Sequence, residues 1–383
     1  MKAGNLIYLD YQASTPLDPR VQAVMAECDQ SVFANPHAVQ HLLGQQSAEI
    51  VASARADIEA CINAAPEEVI FTSGATEANN QAIASLMFAN NTRRNKILIS
   101  AIEHKCIKNA AYYFGQKLGY TIEEIPVLES GLIDMQAYQA MLSDDVLLVC
   151  VMAVNNEIGT IQNIPEIAGL AHQHGAMLHC DAAQAPEAMA IDVRAWQVDM
   201  LSLSGHKIYG PKGIGALYIR NDLQARLPPL IHGGGQQFGM RSGTLPTALC
   251  AGLAEAMKLS HQQVPQSRAD LAALRDTFIA ELADHQIDFS INGHTELRHP
   301  GNINIRFNGK DATKILAALQ SDICASTGSA CNSDMVLSSH VLQAIGLSAE
   351  QAKSSIRFSL GRYSDAEQVG QSVELLTKCL QRL

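Results

Sequence analysis

The chain has 383 residues, 47% hydrophobic and 17% charged, enough apolar material for two domains or for one large domain with a smaller one appended. That balance argues against general disorder. The formal net charge of −11 argues against a bulk electrostatic footprint for nucleic acid or an anionic membrane. No run of eighteen apolar residues occurs, and no charged-then-apolar leader opens the chain. Nine cysteines are scattered from Cys28 to Cys379 without a CxxC pair, and the nearest two, Cys324 and Cys331, stand seven positions apart. A zinc site or a disulfide framework is therefore not expected, and a reducing, cytoplasmic setting fits best.

In chain order, "MKAGNLIYLDYQ" reads as a short strand entering the fold. Strand-length apolar runs follow at 68–74, 96–100, 146–155, 176–182, 200–207 and 213–219, with helix-length segments such as 165–175 between several of them. Near-continuous apolar strands alternating with helices predict an α/β fold with a mostly parallel sheet covered by helices. The polar stretch "HQQVPQS" (261–267) reads as a boundary. Beyond it a helix at 268–285, the strand "NINIRF", the helix "ATKILAALQSD", the strand "SSIRFSL" and a final helix predict a smaller α+β region. No internal repeat or low-complexity segment is visible.

Three stretches carry chemistry. "FTSGATEANN" (71–80) passes from a strand through Gly74 into a helix, and the backbone N–H groups of Ser73, Gly74, Ala75 and Thr76 could cradle a phosphate at the helix start. "LHCDAAQ" ends an apolar strand on Asp181, where open α/β sheets bind ligands. "SLSGHKIYGPKG" ends the next on Lys207, where partial burial would favour Schiff-base chemistry. A phosphate cradle, a strand-end acid to pair with a pyridinium nitrogen and a strand-end lysine to hold an aldehyde are the parts a pyridoxal phosphate enzyme needs. The dinucleotide fingerprint GxGxxG is absent, which disfavours a dehydrogenase. A fourth stretch, "CASTGSACNSD" (324–334), sets Cys331 among small polar residues, whereas a core cysteine belongs in an apolar run such as "VLLVCVMAV".

Taken together, "YLDYQASTP", "FTSGATEANN", "EHK", "VNNEIGTIQ", "DAAQ", "SGHKIYGPKGIGALY", "GGGQQFGMRSGT", "STGSAC" and "SSIRFSLGR" resemble the cysteine desulfurases of the NifS/IscS type, in the class V aminotransferase group of fold-type I pyridoxal phosphate enzymes. The likeness spans nearly the whole chain. It implies a large cofactor-binding α/β domain over 16–260, and a small α+β domain over 1–15 and 261–383 that carries a catalytic-cysteine loop. Lys207 would hold pyridoxal 5′-phosphate, His104 would stack on its ring and Asp181 would bind its nitrogen. Asn156 and Gln184 would contact the ring's substituents. Ala75, Thr76, Ser204 and His206 would hold the phosphate, joined by Thr244 from the second subunit of a homodimer. Arg357, with Asn35, would bind the carboxylate of L-cysteine. Cys331 would take the sulfur as a persulfide, leaving L-alanine, and pass it to an acceptor protein of iron–sulfur assembly or nucleic-acid thiolation. The other eight cysteines read as core filler or inert thiols.

The family's frequent "NPSSxH" stands here as "NPHAVQH" (35–41), and the chain ends at Leu383 without the longer tail of relatives that serve iron–sulfur scaffolds. Both differences bear on the acceptor and on substrate entry. Another pyridoxal phosphate lyase of the same fold would explain Lys207 and Asp181 but give Cys331 no task. A non-catalytic scaffold would have no need of Lys207, Asp181, His104 and Cys331 all at once.

Overall fold

The computed structural model describes residues 6–327 and 339–383, the side chains of 263–265 excepted. Its strands are β1 (Ile7–Tyr8), β2 (Val69–Thr72), β3 (Lys96–Ser100), β4 (Thr121–Ile125), β5 (Val146–Cys150), β6 (Met177–Asp181), β7 (Met200–Ser204), β8 (Gly215–Ile219), β9 (Phe289–Ile291), β10 (Asn302–Phe307), β11 (Ile323–Cys324) and β12 (Ser355–Ser359). Seven of them form one sheet in the order β2-β8-β7-β6-β5-β3-β4. Only β8 runs against the other six in that sheet, pairing antiparallel with β7 and β2. The ten residues between β7 and β8 are too few for the crossover that a parallel neighbour requires.

Both faces of this sheet are covered, which is why its strands read as unbroken apolar runs. Phe71, Leu98, Val149 and Leu201 point into one core, and Ile70, Ile97, Ile99 and Leu217 into another. β4, at one edge of the sheet, escapes a reading by hydrophobic pattern because only Ile125 of "TIEEI" is buried.

A separate core gathers Ile7 and Leu9 with Phe278, Ile303, Phe307, Ile356, Phe358 and Leu376. There β10 pairs antiparallel with both β9 and β12, and β1 lies parallel to β11. The polar stretch at 261–267 is no break in the chain. It lies inside one helix, Thr247–Asp284, which buries Leu253 and Met257 in the sheet's core and Leu271, Phe278 and Leu282 in the separate one. Within the stretch His261 and Gln262 are exposed, between Leu259 of the first core and Leu271 of the second. Among the described residues no helix is long and apolar enough to cross a membrane.

Candidate active site

Strands β2, β3, β5, β6 and β7 point the same way, so the segments leaving their carboxyl ends converge on one edge of the sheet. A cavity of about 600 Å³ opens there. Ala75, Thr76, His104, Asn156, Asp181, Gln184, Ser204, His206, Lys207 and Arg357 all line it. Asn35 and Thr244 do not; both are exposed, and Asn35 spends its Oδ1 on the backbone N–H of His37, 2.9 Å away. Cys331 lies outside the described residues.

The cradle follows from two glycines. Gly74, at φ 149°, occupies backbone space that a side chain disfavours. Opposite it, a Cβ on Gly215 would stand 2.7 Å from the Gly74 Cα, so β8 and the turn approach each other without room for a side chain. The helix Ala75–Ala89 starts here, and no side chain caps its first amides, which leaves them for an anion. Glu77 accepts from the backbone N–H of Ser73 at 2.8 Å and pairs with Arg241 at 2.8 Å, holding the turn from below.

Asp181 ends β6, buried, and accepts from the Asn79 side-chain amide at 2.8 Å and from the Ala183 N–H at 2.9 Å. Glu103 and His179 are buried near it. Desolvation and the charge of Asp181 push Glu103 well above the carboxylate range, while desolvation takes His179 down to about 4. Desolvation thus favours the neutral form of both neighbours. Lys207 closes the turn Gly205–Lys207 after β7, and its Nζ donates to the main-chain carbonyls of Gln12 at 2.7 Å and Ala13 at 2.9 Å. Gln184 Nε2 donates to the same Gln12 carbonyl at 2.8 Å.

His104 precedes the helix Lys105–Leu118 and accepts at Nδ1 from the Cys106 N–H at 3.2 Å. Its exposed surface faces the cavity while protein packs around the rest, and that desolvation lowers its pKa against the pull of Asp181. His206 lies 3.3 Å from the Ser14 hydroxyl; desolvation, with the charges of Lys207 and Lys212, takes it down to about 4. It would hold a phosphate as a neutral donor.

Arg357, on β12, is 3% exposed. It donates to the Asn156 carbonyl at 2.7 Å, to Asp10 at 2.6 Å and to the Ser326 hydroxyl at 3.0 Å. Its buried Nε has no partner among the described residues. The guanidinium is thus held by three acceptors and keeps N–H capacity for a carboxylate in the cavity.

The sequence gives no sign of two contributions. Gln12 acts through a main-chain carbonyl, to which any side chain is irrelevant. Cys106, read with the other cysteines as core filler or an inert thiol, packs against the sheet's core and also lines the cavity; only its position two residues after His104 could have marked it.

A family profile described as Aminotransferase class-V matches residues 7–371. The cysteine desulfurase IscS of Rickettsia bellii is 40% identical over 377 residues, covering 98% of this chain and 92% of the relative. Among solved structures, a NifS-like protein superposes with a TM-score of 0.92 at 28% identity, covering 99% of this chain and 100% of that one. A structure titled "SspA in complex with cysteine" superposes with a TM-score of 0.82 at 36% identity, covering 94% and 99%.

Proposed function

The chain belongs to the aminotransferase class-V family and is a pyridoxal phosphate-dependent cysteine desulfurase, and on that premise we propose how its residues divide the work. The observation that carries the reading is that the cradle, Asp181, Lys207 and Arg357 share one cavity. The residues fit the cofactor: uncapped amides for its phosphate, a buried carboxylate for its ring nitrogen and an amine for its aldehyde. Bound there, pyridoxal phosphate supplies an electron sink for charge set free at the substrate's Cα.

Asp181, held by Asn79 and the Ala183 amide, keeps the ring nitrogen protonated. Ala75, Thr76, Ser204 and His206 anchor the phosphate, and His104 covers the ring. Asn156 and Gln184 hold the ring's substituents. Lys207 would hold the cofactor's aldehyde and, as a free amine, would take the Cα proton and give it back, kept near by the carbonyls of Gln12 and Ala13. Arg357 reads the substrate carboxylate, with Asn35 at the approach. Cys331 as thiolate attacks the substrate sulfur; an S–S bond forms as the Cβ–S bond breaks, the carbon fragment keeps the electron pair and is protonated, and alanine leaves.

The persulfide then passes to an acceptor protein of iron–sulfur assembly or nucleic-acid thiolation. We place the domain division where the helix Thr247–Asp284 changes cores, with 1–15 and 261–383 forming the smaller unit. A homodimer would bring Thr244 of a second chain to each site, in keeping with its exposed position here. The free state of the eight described cysteines supports a reducing, cytoplasmic setting.

The test is direct. Protein incubated with L-cysteine and a reductant should yield alanine and sulfide in equal amounts, and without reductant the peptide containing Cys331 should gain the mass of one sulfur. Extra sulfur on Cys106 or Cys324 instead would reassign the carrier.

A further inference from the structure

Cys106 packs against the sheet's core on one side and meets the cofactor cavity on the other. It lines the cofactor cavity, with its sulfur 3.0 Å from His104 Nδ1 and 3.1 Å from the Asn79 side-chain nitrogen. The direction of each bond in this cluster follows by elimination. Asp181 as a carboxylate only accepts, so Asn79 must turn its NH₂ towards it. The same NH₂ then donates its second hydrogen to the sulfur. The backbone N–H of Cys106 points at Nδ1 of His104, which makes that nitrogen an acceptor. Thr76 bonds the sulfur as well and lowers its pKa, as a donor does. That leaves the thiol's own proton for Nδ1 of His104, where it shares the one lone pair with the backbone N–H. Burial, with the charges of Asp181 and Glu103, pushes this thiol up to about 12, so the proton is present throughout the working range.

We propose that Cys106 is a positioning residue for His104: its S–H, together with its backbone N–H, fixes the imidazole as the neutral tautomer protonated at Nε2 and ties it through Asn79 to Asp181. The ring that covers the cofactor and the acid that holds the cofactor's nitrogen are then parts of one hydrogen-bonded chain. Nε2 has no protein partner among the described residues, so the fixed tautomer offers its N–H to whatever fills the cavity. The titratable groups acting on His104 are Asp181, Lys207 and Lys105, and none of them supplies a bond that selects between its nitrogens. This inference rests on the role assigned to His104 above, but the state of the ring is measurable without that role.

The test uses the full chain as Cys106→Ser, Cys106→Ala and Cys106→Val, the last keeping the volume filled without a donor. In cofactor-free protein, nitrogen NMR of the His104 ring, assigned by its loss in His104→Gln, should show wild type and Cys106→Ser protonated at Nε2 alone. The alanine and valine variants keep the backbone N–H but lose the thiol's bond, so they should show a minor share of the Nδ1-protonated tautomer that wild type and Cys106→Ser lack. They should also protonate His104 at a pH higher by about half to one unit, since one hydrogen bond favouring the neutral ring is lost. In loaded enzyme the acidic limb of the kcat/KM profile should move by the same amount in those two variants and return in Cys106→Ser. An unchanged tautomer and an unchanged His104 titration in both Cys106→Ala and Cys106→Val would overturn the proposal. If instead the ring shifts as expected while His104→Gln turns over cysteine normally, the positioning stands and the role given to His104 falls.

Discussion

Asp181 and Lys207 leave neighbouring buried strands; Asn79 and the Ala183 N–H hold the acid, and the carbonyls of Gln12 and Ala13 hold the amine. Asn35 and Thr244 sit exposed, away from the cavity, and Cys331 falls outside the described residues. The difference follows from what each region handles. A cofactor that stays needs atoms held to a fraction of an ångström, which strand ends and a helix start on one sheet edge provide. Substrate comes and goes, and of the two residues proposed to meet it Arg357 stands on β12 in the separate core and Asn35 on the surface. Arg357 belongs to that second group by its strand but reaches the first by its side chain, joining Asn156 to Asp10 and Ser326.

The largest expected effects come from removing one residue on each side of this divide. Lys207→Ala should lower desulfuration by about 10³-fold or more and abolish the covalent cofactor linkage trapped by borohydride. Cys331→Ser should lose sulfur transfer as fully, yet still bind cofactor and still change its absorbance when L-cysteine enters. If both variants lose the cofactor, the two regions are not separable and the division fails.

Arg357→Lys should cost less. A point charge cannot keep the three acceptors and also grip a carboxylate, so KM for L-cysteine should rise about 10- to 100-fold, with cofactor content unchanged. Equal loss of bound cofactor would mark Arg357 as a structural tie between the regions rather than a reader of substrate.

The same divide separates what the sequence discloses from what it hides. "LHCDAAQ" and "SLSGHK" announce their acids and amines because a polar residue at the end of an apolar strand has one place to go. β8's direction was hidden because apolar runs read alike in parallel and antiparallel neighbours; only its short connection to β7 hints at it. The apparent boundary at 261–267 was a helix crossing between cores, and composition alone does not tell an exposed helical turn from a linker. Gln12 and Cys106 were hidden because a main-chain carbonyl has no letter and a thiol's role depends on neighbours far along the chain.

Glu157 probes the join itself. Its carbonyl accepts from Asn302 at 3.1 Å and Asn304 at 3.0 Å on β10, while its carboxyl is buried near Arg357 with one oxygen unpartnered. Desolvation pushes that carboxyl up to about 7, against the pull of Ser339, Arg357 and Lys105. A carboxyl that holds its proton more tightly folded than unfolded adds stability that is whole below about pH 4.5 and is lost as pH rises through 7. Between pH 5 and pH 8 this group should cost wild type about 2 kcal/mol, or about 2–3 °C in Tm for a chain of 383 residues. Glu157→Gln should be free of that component, so the Tm gap between variant and wild type should widen in its favour with rising pH. A constant gap would mean that Glu157 does not titrate in this range.

The smallest effect should come from Thr244, and it asks whether the divide runs through one chain or between two. Thr244 is exposed and lies off the cavity of its own chain. If its hydroxyl serves the phosphate of a partner's site, Thr244→Ala removes one hydrogen bond to an anion and should weaken cofactor binding about five- to tenfold. The decisive arrangement mixes Lys207→Ala with Thr244→Ala chains after dissociation and reassembly. Each mixed dimer then has one site lacking both groups and one site with both intact. At limiting cofactor, a fraction of sites with wild-type affinity should therefore appear that neither parent variant contains, and activity should rise with it. Should the mixture hold only the weakened affinity of Thr244→Ala, Thr244 acts within its own chain or not at all, and each site is complete without a partner.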